Sequence, residues 1–374
     1  MILRHFRNLK KYLEKNKVLV IYGPRQSGKT TLLKAFLKDC KMQYRFDSGD
    51  NILIHDILSS QNFNRIIEYT AGYELIVLDE AQRITGIGQG LKIIVDQVPN
   101  IFIIATGSSS FELAGQIGEP LTGRKRTLIL WPISQLELAK INTPFELREQ
   151  LAERLVLGSY PAVVNATNKN KKIQILEEIV SSYLLKDILE LEKIKNAKII
   201  LDLLRLLAYQ IGSEVSFSEL SGKLGIDSKT VSRYIDLMEK SFILYNLRGF
   251  SRNLRNEITK KSKYYFWDNG IRNTIISNIN PLEERDDIGK LWENFIIIER
   301  VKKQSYLDIG SNNYFWQTWD QQEVDLVEER GGKLFGYEIK WKKDKRKPPK
   351  SFLSTYSNAS YKVINQDNYL DFIT

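Results

Sequence analysis

Short apolar runs alternate with helix-like segments in the first third of the chain. Val18–Tyr22, Leu75–Leu78 and Ile101–Ile104 are uninterrupted runs of apolar and aromatic residues. Such runs are typical of parallel strands that are buried on both faces. Apolar residues three and four positions apart in 31–37 predict a helix after the first run. The pattern therefore predicts an α/β fold with a parallel sheet.

Two weaker patterns flank the first run. Leu3, Phe6, Leu9 and Leu13 are spaced near the helical period, so the pattern predicts a short basic amphipathic helix within residues 1–17. Cys40 to Phe46 is a candidate second strand that ends at Asp47.

The first apolar run leads directly into the sequence GPRQSGKT, which matches the spacing G-x-x-x-x-G-K-[ST]. Gly23 and Gly28 let this loop wrap closely around a ligand. The N–H groups of the loop and of the helix N-terminus then point at one anion. Lys29 adds a positive charge for the β- and γ-phosphates, and the Thr30 hydroxyl is a ligand for Mg²⁺. The pattern predicts ATP and Mg²⁺ as ligands.

Polar residues follow two later apolar runs, where doubly wound sheets bind their ligands. Asp79 and Glu80 directly follow the second run, and Thr106 and Ser108 follow the third. We expect Asp79 to hold Mg²⁺ and Glu80 to orient and activate the attacking water. Thr106 or Ser108 is a candidate sensor of the γ-phosphate, although a helix N-cap explains either residue equally well. The predicted nucleotide-binding residues are Gly23, Pro24, Arg25, Gln26, Ser27, Gly28, Lys29, Thr30, Thr31 and Thr106.

The segment Gly123–Arg126 is basic and precedes the apolar run Thr127–Trp131. A guanidinium here, with Arg124 as the candidate, can act as an arginine finger on the phosphates of its own or a neighbouring subunit. A basic surface turn explains the same residues equally well.

Bulk properties limit the classes of protein that fit. A chain of 374 residues suggests two or three domains. One cysteine, Cys40, excludes an intrachain disulfide, and two histidines make a histidine-based metal or triad site a poor fit. No apolar run reaches the roughly 18 residues of a membrane span, and residues 1–7 lack the features of a signal peptide. We therefore expect a cytoplasmic protein without a membrane partner.

The net charge of +10 favours a polyanionic partner such as nucleic acid, although a lysine-rich proteome has the same effect. A helix-rich stretch at 133–207 precedes a helix-turn-helix pattern. Its two helices are Ser218–Leu224 and Ser228–Met238, joined at Gly225–Asp227, and strand-like Phe242–Leu244 follows. This order resembles a winged helix.

DNA contact is one role for this module, and an ATPase lid or a protein interface is the other. The candidate DNA-contacting residues at the start of the second helix are Ser228, Lys229, Thr230 and Arg233. A basic stretch that follows favours DNA contact and consists of Arg248, Arg252, Arg255, Lys260, Lys261 and Lys263.

A second set of candidate chemical residues lies near the end of the chain. The segments Glu323–Glu328 and Leu334–Trp341 flank Gly331-Gly332, which predicts a β-hairpin. Alternation places Glu338 and Lys340 on one face, and Asp325 comes from the partner strand. The helical pattern 291–299 upstream supplies Glu293 and, less favourably, Glu299.

An acidic helix residue followed by D…E-x-K resembles the PD-(D/E)xK nuclease fold. The resemblance implies that Glu293, Asp325 and Glu338 bind Mg²⁺ and that Lys340 activates water or stabilises the developing charge. A structural hairpin with one Glu/Lys ion pair would have the same sequence. The loop that follows is basic and is either a phosphate contact or a solvated segment: Lys342, Lys343, Lys345, Arg346, Lys347 and Lys350.

The ordered set GPRQSGKTTL, LIVLDEAQ, ATGSSS and LTGRKRTLILWPIS resembles the prokaryotic AAA-type ATPases that carry a DUF4143 C-terminal region. The resemblance continues in GSYP at 158–161, YLLKDI at 183–188 and YYFWDNG at 264–270. It implies a P-loop core with an extra central strand, and Glu80 directly after Asp79 is what that class requires.

The sequence predicts an α/β chain with four parts. These are a P-loop ATPase core at 1–132, a helical lid or linker at 133–207, a winged helix-turn-helix at 208–250 and a PD-(D/E)xK nuclease-like α/β domain at 251–374. The predicted function is ATP binding and hydrolysis, acting on or with DNA, with a homo-oligomer or another protein as a further partner. The alternatives are an ATP-switched DNA-binding regulator and an ATP-gated Mg²⁺-dependent endonuclease.

Overall fold

The computed structural model describes residues 3–108, 117–118, 120–184, 197–250, 262–318, 320, 322–343 and 348–374. The chain divides into one unit of residues 4–131 with 240–242 and a second unit of residues 132–239 and 243–374 with residue 3. Several residues named above lie outside the described residues: Arg252, Arg255, Lys260, Lys261, Lys345, Arg346, Lys347 and part of the YLLKDI motif.

The first unit is a five-stranded parallel sheet with helices between its strands. Its strand order is β2-β3-β4-β1-β5. β4 thus lies between β1 and β3, which is the extra central strand implied by the family resemblance. Its elements are β1 (Val18–Tyr22), α1 (Lys29–Lys38), β2 (Tyr44–Ser48), α2 (Ile52–Ser59), α3 (Phe63–Thr70), β3 (Leu75–Asp79), α4 (Ile87–Gln97), β4 (Phe102–Thr106) and β5 (Lys125–Ile129).

Burial explains why these strands could be recognised from sequence. Every residue of β1 and β3 is buried, because helices cover both faces of the sheet. Asn51 and Asn62 cap α2 and α3 by accepting hydrogen bonds from Leu53 N and Arg65 N.

Two sequence predictions for this unit need correction. The predicted N-terminal helix is only a 3₁₀ turn at Leu9–Tyr12, within which Leu9 is buried. Four apolar positions at helical spacing do not stabilise a short segment enough to offset the free energy of helix nucleation. The second strand begins at Tyr44 rather than at Cys40, and it ends at Ser48.

The second unit contains a seven-stranded mixed sheet of order β12-β11-β10-β9-β7-β8-β6. Its strands are β6 (Glu214–Val215), β7 (Leu244–Gly249), β8 (Ser262–Phe266), β9 (Asn312–Gln317), β10 (Glu323–Arg330), β11 (Lys333–Ile339) and β12 (Ser360–Ile364). β7 pairs antiparallel with β8 and parallel with β9, so strands on both sides of residue 250 belong to one sheet.

The second unit also contains twelve α-helices within the described residues. They are α5 (Gln135–Leu138), α6 (Pro144–Glu149), α7 (Leu151–Leu157), α8 (Pro161–Asn165), α9 (Lys169–Glu178), α10 (Ala197–Tyr209), α11 (Phe217–Leu224), α12 (Ser228–Lys240), α13 (Asn269–Ile275), α14 (Ile288–Tyr306), α15 (Lys350–Thr355) and α16 (Tyr369–Ile373). Within the predicted helix-rich stretch at 133–207, α6 and α7 are separated by the single residue Gln150. A π-helical turn, Ile179–Leu184, follows α9.

The predicted hairpin is present. β10 and β11 are antiparallel, with Leu326 opposite Tyr337. Gly331 and Gly332 have φ values of 54° and 74°. A two-residue turn in which both residues have positive φ matches the right-handed twist of the strands, and glycine adopts it without strain. The register is therefore fixed by the turn.

Candidate functional site

The loop between β1 and α1 has the backbone that its glycines predict. Gly23 and Gly28 have φ values of 149° and 96°, and Gln26 between them has 60°. A Cβ on Gly23 would lie 2.2 Å from the carbonyl oxygen of Leu130, so no other residue fits there. The loop then ends at Lys29, the first residue of the ten-residue helix α1. The N–H groups in the first turn of α1 point away from the helix, and a helix N-terminus of this kind favours an anion.

Lys29 is buried and is held by the loop itself. Its ammonium donates hydrogen bonds to the carbonyl oxygens of Gly23 at 2.8 Å and Pro24 at 3.0 Å. The charge therefore already lies inside the curve of the loop. Ser27 is fully buried, whereas Thr31 is exposed in the first turn of α1.

Asp79 lies directly beside the loop, because β1 and β3 are parallel and end at the same edge of the sheet. Its Oδ2 accepts a hydrogen bond from the Thr30 hydroxyl at 2.7 Å. Its Oδ1 accepts one from the Thr106 hydroxyl, and Thr106 in turn accepts one from Glu80 N at 3.2 Å. Three segments therefore meet at one buried carboxylate.

The donor set of Thr30 and Asp79 fits Mg²⁺. A hydroxyl and a carboxylate are hard oxygen ligands, and Mg²⁺ is bound in such sites by one or two carboxylates together with substrate phosphates. The two oxygens are already within hydrogen-bond distance of each other, so one small cation can contact both.

Glu80 is fixed by its backbone and by a neighbour. Its φ of 49° is left-handed, and a Cβ on Gly49 would lie 2.3 Å from its carbonyl oxygen. The amide of Gln82 donates to Oε2 of Glu80 and, at 3.2 Å, to the hydroxyl of Ser108. Gln82 thus connects the predicted catalytic carboxylate to the segment that follows β4.

Sequence reasoning missed Gln82 and Arg4. Gln82 stands two residues after Glu80 in the motif DEAQ, so its spacing was a usable signal. Arg4 donates hydrogen bonds of 2.5 Å to the carbonyl oxygens of Ser27 and Trp131. Those partners are 23 and 127 residues away, so no local pattern indicates them.

Arg124 does not lie at its own phosphate loop, so that alternative is wrong. Its carbonyl oxygen accepts a hydrogen bond from Val18 N at 2.9 Å, and its guanidinium pairs with Asp96 at 3.1 Å. Val18 begins β1, whereas Gly23 follows its end. The five residues of β1 therefore separate the sheet edge at Val18 from the edge at Gly23 by about 16 Å. The guanidinium of Arg124 therefore does not reach the phosphate loop of its own chain.

The hairpin in the second unit brings three predicted residues together. Lys340 contacts Glu338 at 2.8 Å and Asp325 at 3.5 Å. Asp325 also accepts a hydrogen bond of 2.7 Å from the backbone N–H of Ile339. Asp325 and Glu338 are buried, and Lys340 is partly exposed.

Glu293 joins these residues from α14. It accepts a hydrogen bond of 2.7 Å from the hydroxyl of Tyr265. Burial and the charge of Asp325 raise the pKa of Glu293 to about 8, against the opposing effects of Lys263 and Tyr265. Burial likewise raises the pKa of Asp325, although Lys340 opposes the shift. Glu299 lies elsewhere, where it accepts a hydrogen bond of 2.5 Å from Gln135 N and pairs with Lys302 at 2.8 Å.

Three further residues complete this C-terminal cluster, which we define as Lys263, Tyr265, Glu293, Glu323, Asp325, Glu338 and Lys340. The ammonium of Lys263 on β8 pairs with Glu323 at the start of β10. Glu293, Asp325 and Glu338 carry carboxylate oxygens, the atom type that Mg²⁺ prefers, and the ammonium groups of Lys263 and Lys340 lie near them. Across the described ranges, no three His, Cys, Asp or Glu side chains form a group arranged to hold a metal ion.

The helix-turn-helix surface is partly basic. Lys229 and Arg233 are exposed on α12, together with Ser228. Asp227 caps this helix, because its carboxylate accepts hydrogen bonds from the N–H and the hydroxyl of Thr230 at 2.8 and 2.6 Å. In the basic loop after β11, Lys343 pairs with Asp367 at 3.3 Å, and both are exposed.

Comparison with protein families identifies three regions. Residues 15–139 match the model of an AAA domain, residues 148–283 a domain of unknown function, DUF8612, and residues 288–372 the domain of unknown function DUF4143. The sequence motifs predict the first and last of these matches but not the middle one. None of the helices within the described ranges has the length and apolar content that crossing a membrane requires.

Relatives match along most of the chain. An uncharacterized protein of Mycobacterium tuberculosis is 26% identical over 89% of this chain and 72% of its own. One of Haemophilus influenzae is 25% identical over 90% of this chain and 85% of its own. The solved Walker-type ATPase of Pyrococcus abyssi is 15% identical, covers 72% of this chain and 94% of its own, and has a TM-score of 0.46. The chain therefore has an AAA domain followed by a DUF4143 region, in the order that the sequence resemblance implied.

Proposed function

We propose that this chain binds ATP with Mg²⁺ and hydrolyses it to ADP and phosphate. The observation that carries the proposal is the contact of Asp79 with the Thr30 hydroxyl at the phosphate loop. A strand-end carboxylate touching the threonine after the loop lysine is the arrangement that P-loop enzymes use for nucleotide-bound Mg²⁺. The metal neutralises charge on the phosphates when it is bound.

The residues around the loop have separate roles in this proposal. The loop N–H groups and Lys29 bind the phosphates, which replace the carbonyl oxygens that Lys29 now contacts. Glu80 orients the attacking water and accepts its proton, and Gln82 holds that carboxylate in place. Thr106 touches Asp79 and supports Glu80 N, so it is placed to respond to the γ-phosphate.

We propose that the output of the ATPase involves DNA. The order α10, β6, α11, α12, β7, β8, with β6 and β7 both paired to β8, supports a winged helix. Exposed Lys229 and Arg233 on its second helix, and a net charge of +10, favour a phosphate backbone as partner. An arginine finger, if used, is Arg124 of a neighbouring copy, which requires a homo-oligomer.

The second candidate is an ATP-gated, Mg²⁺-dependent endonuclease. The convergence of Glu293, Asp325, Glu338 and Lys340 favours it, because this set resembles the PD-(D/E)xK constellation. In that role Glu293, Asp325 and Glu338 would have to come together around a metal, which would polarise the phosphodiester, and Lys340 would stabilise the developing charge.

The first prediction separates binding from hydrolysis. We expect Lys29→Ala to weaken ATP binding by at least roughly 100-fold, because several charge-assisted contacts are lost. Glu80→Gln keeps binding but lowers kcat by roughly 100- to 10,000-fold, because the base is removed. Lys34→Ala on the exposed side of α1 is the control and leaves both unchanged. Normal hydrolysis by Glu80→Gln would contradict the assignment of the base.

The second prediction concerns DNA. We expect duplex DNA to raise the steady-state ATPase rate, which distinguishes a hydrolysing machine from a regulator that uses ATP only as a conformational ligand. Lys229→Ala and Arg233→Ala should each weaken DNA binding and reduce the slope of log K against log salt by about 1. Exposed Lys290 is the control, as Lys290→Ala. Identical salt slopes in all four proteins would rule out this surface.

The third prediction tests cleavage. With ATP and Mg²⁺ or Mn²⁺, we expect the wild-type protein to nick plasmid DNA and Asp325→Ala to leave it intact, because a metal ligand is lost. The same variant should retain its ATPase rate. Absence of wild-type cleavage with every metal tested would exclude the endonuclease.

The fourth prediction uses the raised pKa of Glu293. A carboxyl whose pKa is raised by folding makes the folded protein less stable as the pH rises. This loss of stability extends from the unfolded pKa of 4.5 to the folded pKa of about 8. The side chain at this position is neutral at every pH in Glu293→Gln. We therefore expect the unfolding free energy of the variant to increase relative to that of the wild type between pH 5 and pH 8, by about 1.4 kcal/mol per unit of pKa shift. Denaturant unfolding in EDTA measures this. A constant difference across that range would show that the carboxyl is not perturbed.

A further inference from the structure

Arg4 contacts the phosphate loop, although it precedes β1 in the chain. Its guanidinium donates one hydrogen bond of 2.5 Å to the carbonyl oxygen of Ser27 and another of 2.5 Å to that of Trp131. Ser27 directly precedes Gly28 in the loop, and Trp131 is the second residue after β5. Hydrogen bonds from a charged donor are roughly twice as strong as those between neutral groups. Arg4 therefore ties the loop firmly to the segment that follows β5.

The segment that carries Arg4 is itself anchored. Phe6 and Leu9 are buried, and the ring of Phe6 packs edge-on against the ring of Tyr12 with 5.4 Å between their centres. The backbone N–H of Arg7 donates a hydrogen bond of 3.2 Å to the carbonyl oxygen of Arg4, so the chain turns at this point. The guanidinium is thus presented by an anchored turn, which limits the conformations that it can adopt.

The contact with Ser27 decides the direction of the next N–H group. The peptide bond between Ser27 and Gly28 is trans. In a trans peptide the C=O and the N–H lie in one plane and point in opposite directions. Since the Ser27 carbonyl points at Arg4, the N–H of Gly28 points away from Arg4. The guanidinium also polarises this peptide, because hydrogen bonds in a chain strengthen one another, and so makes the Gly28 N–H a better donor to an anion.

The segment after β5 supports both ends of the phosphate loop. At the first end, a Cβ on Gly23 would lie 2.2 Å from the carbonyl oxygen of Leu130, so the loop backbone touches this segment directly. At the second end, Ser27 is connected through Arg4 to Trp131, which is buried. Arg4 therefore completes a brace that holds the loop at two points of one neighbouring segment.

We propose that Arg4 is a positioning residue of the nucleotide site, which holds the Ser27–Gly28 peptide so that the Gly28 N–H is aimed at the phosphates of ATP. The inference rests on the proposed binding of ATP at this loop. Without the guanidinium, binding of ATP must itself order this peptide, and that cost lowers the affinity. The loop holds the phosphates in the ground state and in the transition state alike, so the loss appears mainly in KM rather than in kcat.

The test compares ATP binding by titration calorimetry, and steady-state ATP hydrolysis, in full-length proteins with Mg²⁺ present. We expect Arg4→Ala to raise both the Kd and the KM for ATP by about tenfold and to change kcat by less than about threefold. Arg4→Lys should lose less affinity, because its ammonium still contacts a carbonyl oxygen although it lacks the planar fork of arginine. Exposed Arg7→Ala removes the same charge from the same segment and should match the wild type.

Chemical rescue distinguishes positioning of the peptide from general support of the fold. Methylguanidinium chloride added to Arg4→Ala should restore part of the ATP affinity, because it can donate to the same two carbonyl oxygens. Tetramethylammonium chloride carries the charge without an N–H donor and should restore none. Arg7→Ala should respond to neither salt. A loss of ATP affinity in Arg4→Ala that neither Arg4→Lys nor methylguanidinium reduces would refute the positioning role.

Two further outcomes are decisive. Equal ATP affinity of Arg4→Ala and the wild type refutes the role of Arg4 and leaves the proposed ATPase standing, whereas a wild type that binds no ATP refutes the proposed function and the inference with it. Folding of each variant is checked by circular dichroism. If Arg4→Ala does not fold, Arg4→Lys is compared with Arg7→Lys instead, and equal ATP affinity of those two variants refutes the inference.

Discussion

The buried carboxylate of Asp79 is the interaction on which the nucleotide site depends. It accepts hydrogen bonds from Thr30 on α1 and from Thr106 at the end of β4. A carboxylate that is 6% exposed must be paired, and here its partners come from two other strand-helix segments. Its position follows from the strand order, because β4 lies between β1 and β3 and all three end at one edge. The chemistry is therefore a consequence of sheet topology.

The parts of this site that could be predicted from the sequence are those whose residues act close together along the chain. Gly23–Thr30 is readable because its glycines, lysine and threonine act within eight consecutive residues, and Asp79 because it ends a buried strand. Arg124 could not be placed by the same reasoning, since its location depends on the direction of β5 relative to β1. Arg4 and Lys263 act through partners that are distant in the sequence, and only three-dimensional structure brings those together.

The second unit shows the same limit on a larger scale. Sequence patterns gave the hairpin β10–β11 and the paired helices α11 and α12. They could not reveal that β7 lies parallel to β9, with Arg248 opposite Tyr314. That single pairing joins the strands after the helix-turn-helix to the strands of the acidic hairpin in one sheet. Lys263 on β8 can reach Glu323 on β10 because both strands belong to that sheet.

The charges buried in that cluster are better explained by function than by stability. Replacing a buried ion pair by packed apolar residues is often neutral or favourable, so such pairs are weak evidence for a stabilising role. Here the carboxylates of Glu293 and Asp325 have raised pKa values, which means that folding holds them in surroundings that disfavour their charge. The ammonium groups of Lys263 and Lys340 oppose this effect of burial without cancelling it, so the fold holds ionisable groups of both signs in one buried place.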